Sequence, residues 1–290
     1  MKSIYIAITA HNPLHRVEKT LKVLKGYEDL ELEKEVDIYI DHNHRHDIDE
    51  FSLIVASHTN FNRVGFVAAG PQYEGYDLCW AHKPSFIRRV LKGTHDFYMY
   101  SENDMLFTKK HFDYWYKYKD ELREQNLEPG FCRVERQGTK LIPFDNYRKW
   151  KLGGVTEYVW GDIPFKSEFL PKPFDKDILG FTTLGNPYSG MMILDQEDAT
   201  KYVNSWSCNP VHSHVKTGKR NWPIADRSSM GLAFEDLKPW QEHRRVVPVT
   251  CEDDSVVIPD FALIEHLDTK YSSALLKNQS IIDTKTMFAY

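Results

Sequence analysis

Two acidic residues, Glu102 and Asp104, are separated by one residue and follow an apolar and aromatic run at residues 97–100. That run has the composition of a buried strand. On an extended chain residues i and i+2 point the same way, so both carboxylates would lie on one side of the strand end. Two close carboxylates repel unless a cation lies between them, and Mg²⁺ and Mn²⁺ accept a few carboxylates together with water and phosphate oxygens. The spacing therefore predicts either a divalent metal site or a solvated turn.

The chain around this pair alternates between strand-like and helix-like segments. A helix is expected to begin at Asn12-Pro13, as an N-cap and N1 pair, and to end near Gly26. The predicted strands are "SIYIAITA", "EVDIYIDHN", "FSLIVASHT" and "DFYMYSEND", and the later predicted helices are "AHKPSFIRRVLKG" and "KKHFDYWYKYKDELREQN". Such alternation predicts an α/β fold with a mostly parallel central sheet and helices on both faces.

Three of the predicted strands end in residues that can bind a ligand. Ala10-His11 follows the first strand, Asp41 the second, and Glu102 to Asp104 the strand at 96–104. In open α/β sheets, ligands bind outside the carboxyl ends of the strands. The convergence favours a metal site over a simple turn.

Bulk properties exclude several classes of function. The 290 residues include 41% hydrophobic and 27% charged residues, as in ordinary soluble proteins, and the net charge of −5 argues against non-specific nucleic-acid binding. The four cysteines form no Cys-x-x-Cys pair, which excludes a zinc ribbon and fits a reducing compartment. We see neither a signal-peptide pattern nor an apolar run long enough to span a membrane, so we expect a cytoplasmic protein.

The order of these motifs resembles the GT-A-type nucleotide-sugar glycosyltransferases. In that family an Asp-x-Asp motif, here "ENDM", holds Mn²⁺ or Mg²⁺ against the donor diphosphate. The segment "AHKPSFIRRVL" is similar to a donor-contacting helix, "SSMGLAFEDL" to the segment with the catalytic base, and "FALIEHLDTKYS" to a tail that brings a histidine to the metal. The first acid of the motif is Glu instead of Asp, and the Gln/Arg-x-x-Arg-Trp motif of processive synthases is missing.

The resemblance implies a single domain over residues 1–290, with a donor half at 1–125 and an acceptor half and tail at 126–290. It implies transfer of one sugar from a UDP- or GDP-sugar to a glycan or other hydroxyl acceptor. The implied metal ligands are Glu102, Asp104 and His266. The implied donor-binding residues are Ala10, His11, Asp41, His82, Lys83 and Asn103. Asp236, with Glu235 beside it, is implied as the general base of an inverting reaction, although a retaining reaction stays open.

Two other functions remain open at this point. A sugar nucleotidyltransferase would use a related scaffold, but its Gly-rich phosphate loop is missing from "TAHNPLHR". A non-catalytic carbohydrate-binding protein would leave the acids as surface groups. Separately, His42, His44 and His46 alternate with other residues and could imitate a zinc-binding strand, although the pattern favours a polar loop.

Overall fold

The computed structural model describes residues 1–61, 63–143, 148–152, 155–159, 178–184, 186–216, 222–252 and 255–268. The chain divides into two compact units, and each unit combines two segments of chain. The first consists of residues 1–109 and 190–243, and the second of residues 110–189 and 244–290. The boundaries at 109/110, 189/190 and 243/244 differ from the expected division at residue 125, which assumed that each half is continuous in sequence.

The described strands and helices are bounded as follows. The strands are β1 (Ser3–Ala10), β2 (Glu33–Ile40), β3 (Val64–Ala68), β4 (Phe97–Glu102), β5 (Met105–Leu106), β6 (Glu128–Pro129), β7 (Cys132–Gln137), β8 (Lys140–Pro143), β9 (Arg148–Leu152), β10 (Val155–Val159), β11 (Gly180–Thr182), β12 (Met191–Asp195), β13 (Arg245–Glu252), β14 (Ser255–Val257) and β15 (Leu263–His266). The α-helices are α1 (Val17–Glu28), α2 (Ile48–His58), α3 (Lys83–Lys92), α4 (Lys109–Glu124), α5 (Gln196–Val203), α6 (Ser213–Lys216) and α7 (Ile224–Ser228).

The first unit is built on a five-stranded sheet in the order β12-β4-β1-β2-β3. Strands β4, β1, β2 and β3 are parallel, and β12 runs antiparallel to β4. The α/β fold class and the mostly parallel sheet are therefore confirmed. Strand β1 is central, with β2 and β4 paired along its two edges, and its residues are buried from Ile4 to Ala10.

Helix α3 has the sequence features that predicted it. Pro84 lies in its first turn, and Gly93 ends it in the left-handed conformation at φ 59°. Phe86 and Val90, four residues apart, are buried against the aromatic and aliphatic core formed with the sheet. Leu91, the residue after Val90, is exposed.

Two local predictions were wrong. The segment 51–59 was expected to form a strand, but residues 51–58 belong to α2 and Thr59 is its C-cap. The buried residues of this segment, Phe51 and Val55, are four positions apart, as expected on one face of a helix. The strand that pairs with β2 on its other edge is β3, further along the chain. Helix α1 begins at Val17, not after Asn12-Pro13, because Asn12 has φ 72° and its carbonyl accepts the N–H of Arg16 in a turn.

The described residues of the second unit form three smaller groups of strands. Strand β13 pairs antiparallel with β11 and β14 and parallel with β6. Strand β7 pairs parallel with β15 and antiparallel with β8, and β9 forms a hairpin with β10. Residues 150–187 are rich in proline, glycine and aromatic residues, and most of them lie outside the described residues. Within the described part of the chain, no helix is long and apolar enough to cross a membrane.

Candidate active site

The carboxyl ends of β1, β2 and β4 lie side by side in the first unit. In the register of the sheet, Ala10 is level with Ile40, and Thr9 is level with Glu102. His11 and Asp41 are the residues that directly follow β1 and β2. The sheet thus brings the candidate residues of three strands to one edge. We call this the carboxyl edge of the first sheet.

The acid-x-acid segment is a turn, so the expected extended geometry was wrong. Asn103 and Asp104 form the turn that joins β4 to β5. The backbone N–H of Asn103 donates to the Thr9 carbonyl at 3.2 Å, and its side-chain amide donates to Thr20 Oγ1 at 3.0 Å. Asn103 is therefore buried and fastens the turn to β1 and α1, whereas its suggested contact with a donor stays a prediction.

The two carboxylates of this segment have different neighbours. The backbone N–H of Glu102 donates to the Gly190 carbonyl at 3.0 Å, and a methyl group added to Gly190 would lie 3.5 Å from Glu102 Oε2. Asp104 is nearly buried, and its Oδ2 accepts a hydrogen bond from Arg16 Nη1 at 2.9 Å. Arg16 was not singled out from the sequence, because nothing local marks a residue that pairs 88 positions away.

The carboxylate oxygens of this turn are suitable ligands for a hard divalent cation. Glu102 and Asp104 supply two carboxylates, and Mg²⁺ is commonly held by one or two carboxylates together with water and substrate phosphates. Within the described residues, no group of three or more His, Cys, Asp or Glu side chains is arranged to hold a metal ion. A cation at Asp104 would share that carboxylate with Arg16, whose side chain is 27% exposed.

Asp41 is buried at the end of β2 and accepts several hydrogen bonds. Its carboxylate accepts the backbone N–H groups of Asn43 at 2.9 Å and Gly75 at 3.3 Å, and His11 Nδ1 lies 2.9 Å from Oδ2. Burial favours the protonated acid, but these hydrogen bonds, with Asn43 and His11 foremost, outweigh it and lower the pKa of Asp41. The carboxylate thus fixes two loops and the ring of His11, whose side chain is 59% exposed.

Lys83, implied as a donor-binding residue, has its ammonium in the interior of the first unit. It is buried, and its Nζ donates to the Tyr202 hydroxyl at 2.6 Å and to the Ser228 carbonyl at 2.8 Å. The ammonium also lies over the rings of Trp80 and Tyr202, at 5.2 and 4.8 Å from their centroids. Burial lowers the pKa of Lys83 to about 8, against a smaller opposing effect of two nearby cysteines.

His82, also implied as a donor-binding residue, is buried as well. Its ring stacks on Tyr100 with centroids 4.1 Å apart, and neither ring nitrogen has a hydrogen-bond partner of normal geometry among the described residues. Burial, and then the charge of Lys83, holds the pKa of His82 well below its usual value. Tyr100 in turn shares a 3.0 Å hydrogen bond with Thr9, so these rings lie beneath the carboxyl edge. Direct donor binding by His82 and Lys83 stays a prediction, and both face the interior.

Glu235 and Asp236 have opposite environments. Glu235 is buried, with Oε1 accepting the N–H and hydroxyl of Ser207 at 3.0 and 2.6 Å, and Oε2 lying 2.7 Å from Lys216 Nζ. Burial favours its protonated form, but Lys216 and Ser207 outweigh burial and lower the pKa of Glu235. Asp236 is exposed and has φ 51°, a left-handed conformation that Asp tolerates better than most residues.

His266 belongs to the second unit. Its Nδ1 lies 2.8 Å from Glu135 Oε1, and both side chains are buried. This environment matches a histidine held by a structural hydrogen bond, and its role as a metal ligand stays a prediction. The rest of the tail segment that suggested this role, from residue 269 onward, lies outside the described residues.

No protein-family model matches the sequence, and no curated protein matches it by sequence. Among solved structures, a 4-diphosphocytidyl-2C-methyl-D-erythritol synthase from Anaerococcus prevotii is 11% identical, with a TM-score of 0.42 over 96% of this chain and 97% of its own. Core-mannan synthase A from Aspergillus fumigatus, in its Mn/GDP form, is 11% identical, with a TM-score of 0.37 over 81% of this chain and 70% of its own. Both TM-scores lie under 0.5, so neither likeness assigns an activity to this chain.

Proposed function

We propose that the protein is a metal-dependent glycosyltransferase that moves one sugar from a nucleotide-diphosphate sugar to a hydroxyl acceptor. The observation that carries the proposal is the alignment of β1, β2 and β4, which places His11, Asp41 and the Glu102–Asp104 turn at one edge of a mostly parallel sheet. In sheets of this kind the carboxyl edge is where nucleotides and other ligands bind.

The proposed donor site divides into a metal part and a nucleotide part. Glu102 and Asp104 would hold Mn²⁺ or Mg²⁺, which would neutralise the diphosphate and stabilise it as a leaving group. The end of β1 and the loops after β1 and β2 would line the nucleotide, with Ala10 at the end of β1 and His11 in the loop that follows it. Asp41 would act as a positioning residue, because its carboxylate is buried and orients His11.

Asp236 is the proposed general base. An acceptor hydroxyl needs a carboxylate that can reach it and take its proton. Asp236 is exposed, whereas both oxygens of Glu235 contact Ser207 or Lys216. A carboxylate held by an ammonium and two hydrogen bonds is a weaker base, so Glu235 would position the segment that carries Asp236.

The proposal is tested by donor binding with and without metal. The melting temperature of the full chain is measured with UDP-, GDP- and dTDP-sugars in Mn²⁺ and in chelator, because a ligand that binds only the native state stabilises it by about 2.7 kcal/mol at ~100 times its Kd. We expect at least one nucleotide sugar to raise the melting temperature only when Mn²⁺ is present. The absence of any such shift across the panel contradicts the proposal.

Two variants assign that binding to the turn. Asp104→Asn should lose the metal-dependent shift, whereas Asp29→Asn should keep it, because Asp29 is exposed at the opposite edge of the sheet, before β2 begins. The products released in the presence of acceptor then identify the reaction. A nucleoside diphosphate indicates sugar transfer, whereas consumption of a nucleoside triphosphate with release of pyrophosphate would indicate a nucleotidyltransferase.

A further inference from the structure

Four histidines and two aspartates lie together where β1 and β2 end. His11 follows β1, and the segment His42–Asp47 forms a 3₁₀ turn after β2, so the alternating histidines do not lie on a strand. The rings of His11 and His44 meet at a centroid distance of 5.7 Å and an interplanar angle of 81°. The proposed transfer reaction assigns no role to the side chain of His44.

Each of these two rings is oriented by a carboxylate through its Nδ1. His11 Nδ1 lies 2.9 Å from Asp41 Oδ2, and His44 Nδ1 lies 3.1 Å from Asp47 Oδ2. When Nδ1 contacts a carboxylate it is the protonated nitrogen, so Nε2 is left as the nitrogen with a lone pair. Histidines that bind metal ions are commonly oriented in this way, because the carboxylate fixes the tautomer and raises the basicity of the other nitrogen.

The separation of the rings agrees with two imidazoles on one metal ion. A Zn–N bond of about 2.0–2.1 Å places a ring centroid about 3.2 Å from the metal, and two such rings at a tetrahedral angle have centroids about 5.2 Å apart. The observed separation is 5.7 Å. The difference is about 0.5 Å, and the side chain of His11 is mostly exposed.

Local charge favours a cation over an anion. Asp41 and Asp47 lie against the rings, and Asp49 and Glu50 occupy the first turn of α2. Arg45 is a cation within this turn, and its Nη1 lies 3.0 Å from His42 Nε2. The Nε2 of His42 therefore accepts a hydrogen bond and does not serve as a metal ligand.

We propose that His11 and His44 form a two-imidazole binding site for a divalent transition-metal ion of the Zn²⁺ class, with Asp41 and Asp47 as its orienting carboxylates. Two nitrogen ligands leave the remaining positions to water or an incoming ligand, which agrees with the lack of a group of three or more metal-binding side chains among the described residues. Imidazole suits Zn²⁺, Cu²⁺ and Ni²⁺, whereas carboxylates suit Mg²⁺ and Mn²⁺, so this site differs in metal preference from the Glu102–Asp104 turn.

The test is titration of the untagged full chain with Zn²⁺ in competition with a chromophoric chelator, without nucleotide. A Cys251→Ser background removes an exposed thiol that would also bind Zn²⁺. We expect one Zn²⁺ per chain, at least ~10-fold weaker binding in His11→Ala and in His44→Ala, and ~10–100-fold weaker binding in Asp47→Asn. His58→Ala, at the exposed end of α2, is the matched control and should bind like the parent protein.

A second measurement counts the nitrogen ligands directly. The EPR spectrum of one bound Cu²⁺ should show hyperfine splitting from two imidazole nitrogens in the parent and from one in each histidine variant. A cooperative melting transition of each variant without metal confirms that it folds. Unchanged Zn²⁺ affinity in both His11→Ala and His44→Ala, or an equal loss in His58→Ala, would overturn the proposal. Asp104→Asn should leave Zn²⁺ binding intact, which separates this site from the proposed donor metal.

Discussion

Arg16 and Asp104 form an ion pair across 88 positions of the chain, with Nη1 2.9 Å from Oδ2. Arg16 lies in the loop between β1 and α1, and Asp104 lies in the turn after β4. The pair therefore connects two loops of the carboxyl edge. It also places a guanidinium against one of the carboxylates proposed to hold a metal ion.

Arg16→Gln is expected to destabilise the metal-free protein and to strengthen its response to Mn²⁺. Asp104 is nearly buried, and removal of a partner from a buried pair is destabilising. Because Arg16 is partly exposed, we expect a loss of about 1–2 kcal/mol in the free energy of unfolding. Mn²⁺ would then compensate for the missing guanidinium. Thermal melts with and without Mn²⁺ measure both effects.

The control for this prediction is Arg63→Gln, which removes an ion pair with Glu35 that is mostly exposed on the arginine side. It should melt close to wild type and respond to Mn²⁺ in the same way. The double variant Arg16→Gln/Asp104→Asn should lose the additional Mn²⁺ response. Equal Mn²⁺ shifts in wild type and Arg16→Gln would show that the guanidinium and the metal do not share Asp104.

Lys83 is expected to make stability depend on pH in the alkaline range. Its folded pKa of about 8 lies below the ordinary lysine value of 10.5, because burial disfavours the charged form. Between these two values the unfolded chain binds more protons than the folded chain, so the free energy of unfolding rises with pH. The difference between the two pKa values corresponds to about 3 kcal/mol in the free energy of unfolding, which is gained as the pH rises from 8 to 10.5.

The comparison with Lys83→Met isolates this effect from other titrating groups. The free energy of unfolding of wild type should increase relative to that of Lys83→Met as the pH rises from 8 to 10.5, as measured by urea denaturation. Lys201→Met, on the exposed face of α5, is the control, and its difference in free energy of unfolding from wild type should stay constant over this pH range. If the difference in free energy of unfolding between wild type and Lys83→Met does not change with pH, Lys83 titrates alike in the folded and unfolded states.

The elements of the first sheet could be predicted because their signals are local. Strand β1 is a continuous run of buried residues, and helix α3 has Pro84 at its start and Gly93 at its end. These patterns act within a few residues, and burial reinforces them. Helix α2 was mistaken for a strand because its β-branched and aromatic residues have strand composition, whereas the helical spacing of Phe51 and Val55 decides the structure.

The environments of the site residues could not be predicted in the same way. Lys83 follows the expected pattern of a helix start, yet its ammonium is buried because Tyr202 and Ser228, more than a hundred positions later, supply its hydrogen bonds. The contrast between Glu235 and Asp236 likewise depends on Ser207, which is distant in sequence. Composition and spacing identify which residues reach the carboxyl edge, but not which distant groups neutralise them.

Glu235 is expected to stabilise the protein at neutral pH and to lose this effect in acid. Its folded pKa is lowered, because hydrogen bonds from Lys216 and Ser207 outweigh burial, which alone would raise it. The contribution is therefore present above the ordinary glutamate pKa and is lost as the pH falls through the folded pKa. We expect Glu235→Gln to cost about 1–2 kcal/mol at pH 7, and the difference in free energy of unfolding from wild type to narrow as the pH falls below the ordinary glutamate pKa.

Urea denaturation of both proteins at pH 7, 5, 4 and 3 checks this expectation. Glu242→Gln, in the same region of sequence, serves as a control and should follow wild type throughout. A gap between wild type and Glu235→Gln that stays constant down to pH 3 would show that the carboxylate charge does not contribute.

Asp236→Asn is expected to separate binding from chemistry. Asparagine keeps the shape of the side chain and tolerates the left-handed backbone at φ 51°, so the variant should fold normally, whereas Ala would add strain. The amide cannot take a proton, and general-base catalysis contributes about 10²–10⁴-fold to a rate. Donor and Mn²⁺ binding should stay at the wild-type level while sugar transfer slows at least ~100-fold.

Glu235→Gln provides the matched comparison, because it changes the neighbouring carboxylate in the same way. It should slow transfer far less than Asp236→Asn, measured above the donor KM at a temperature where both variants are folded. The opposite ranking would identify Glu235 as the base and Asp236 as a surface residue. Full activity in both would place the base outside this segment, and proton NMR of the product's anomeric centre would then determine whether the configuration inverts, as a base-assisted direct displacement requires.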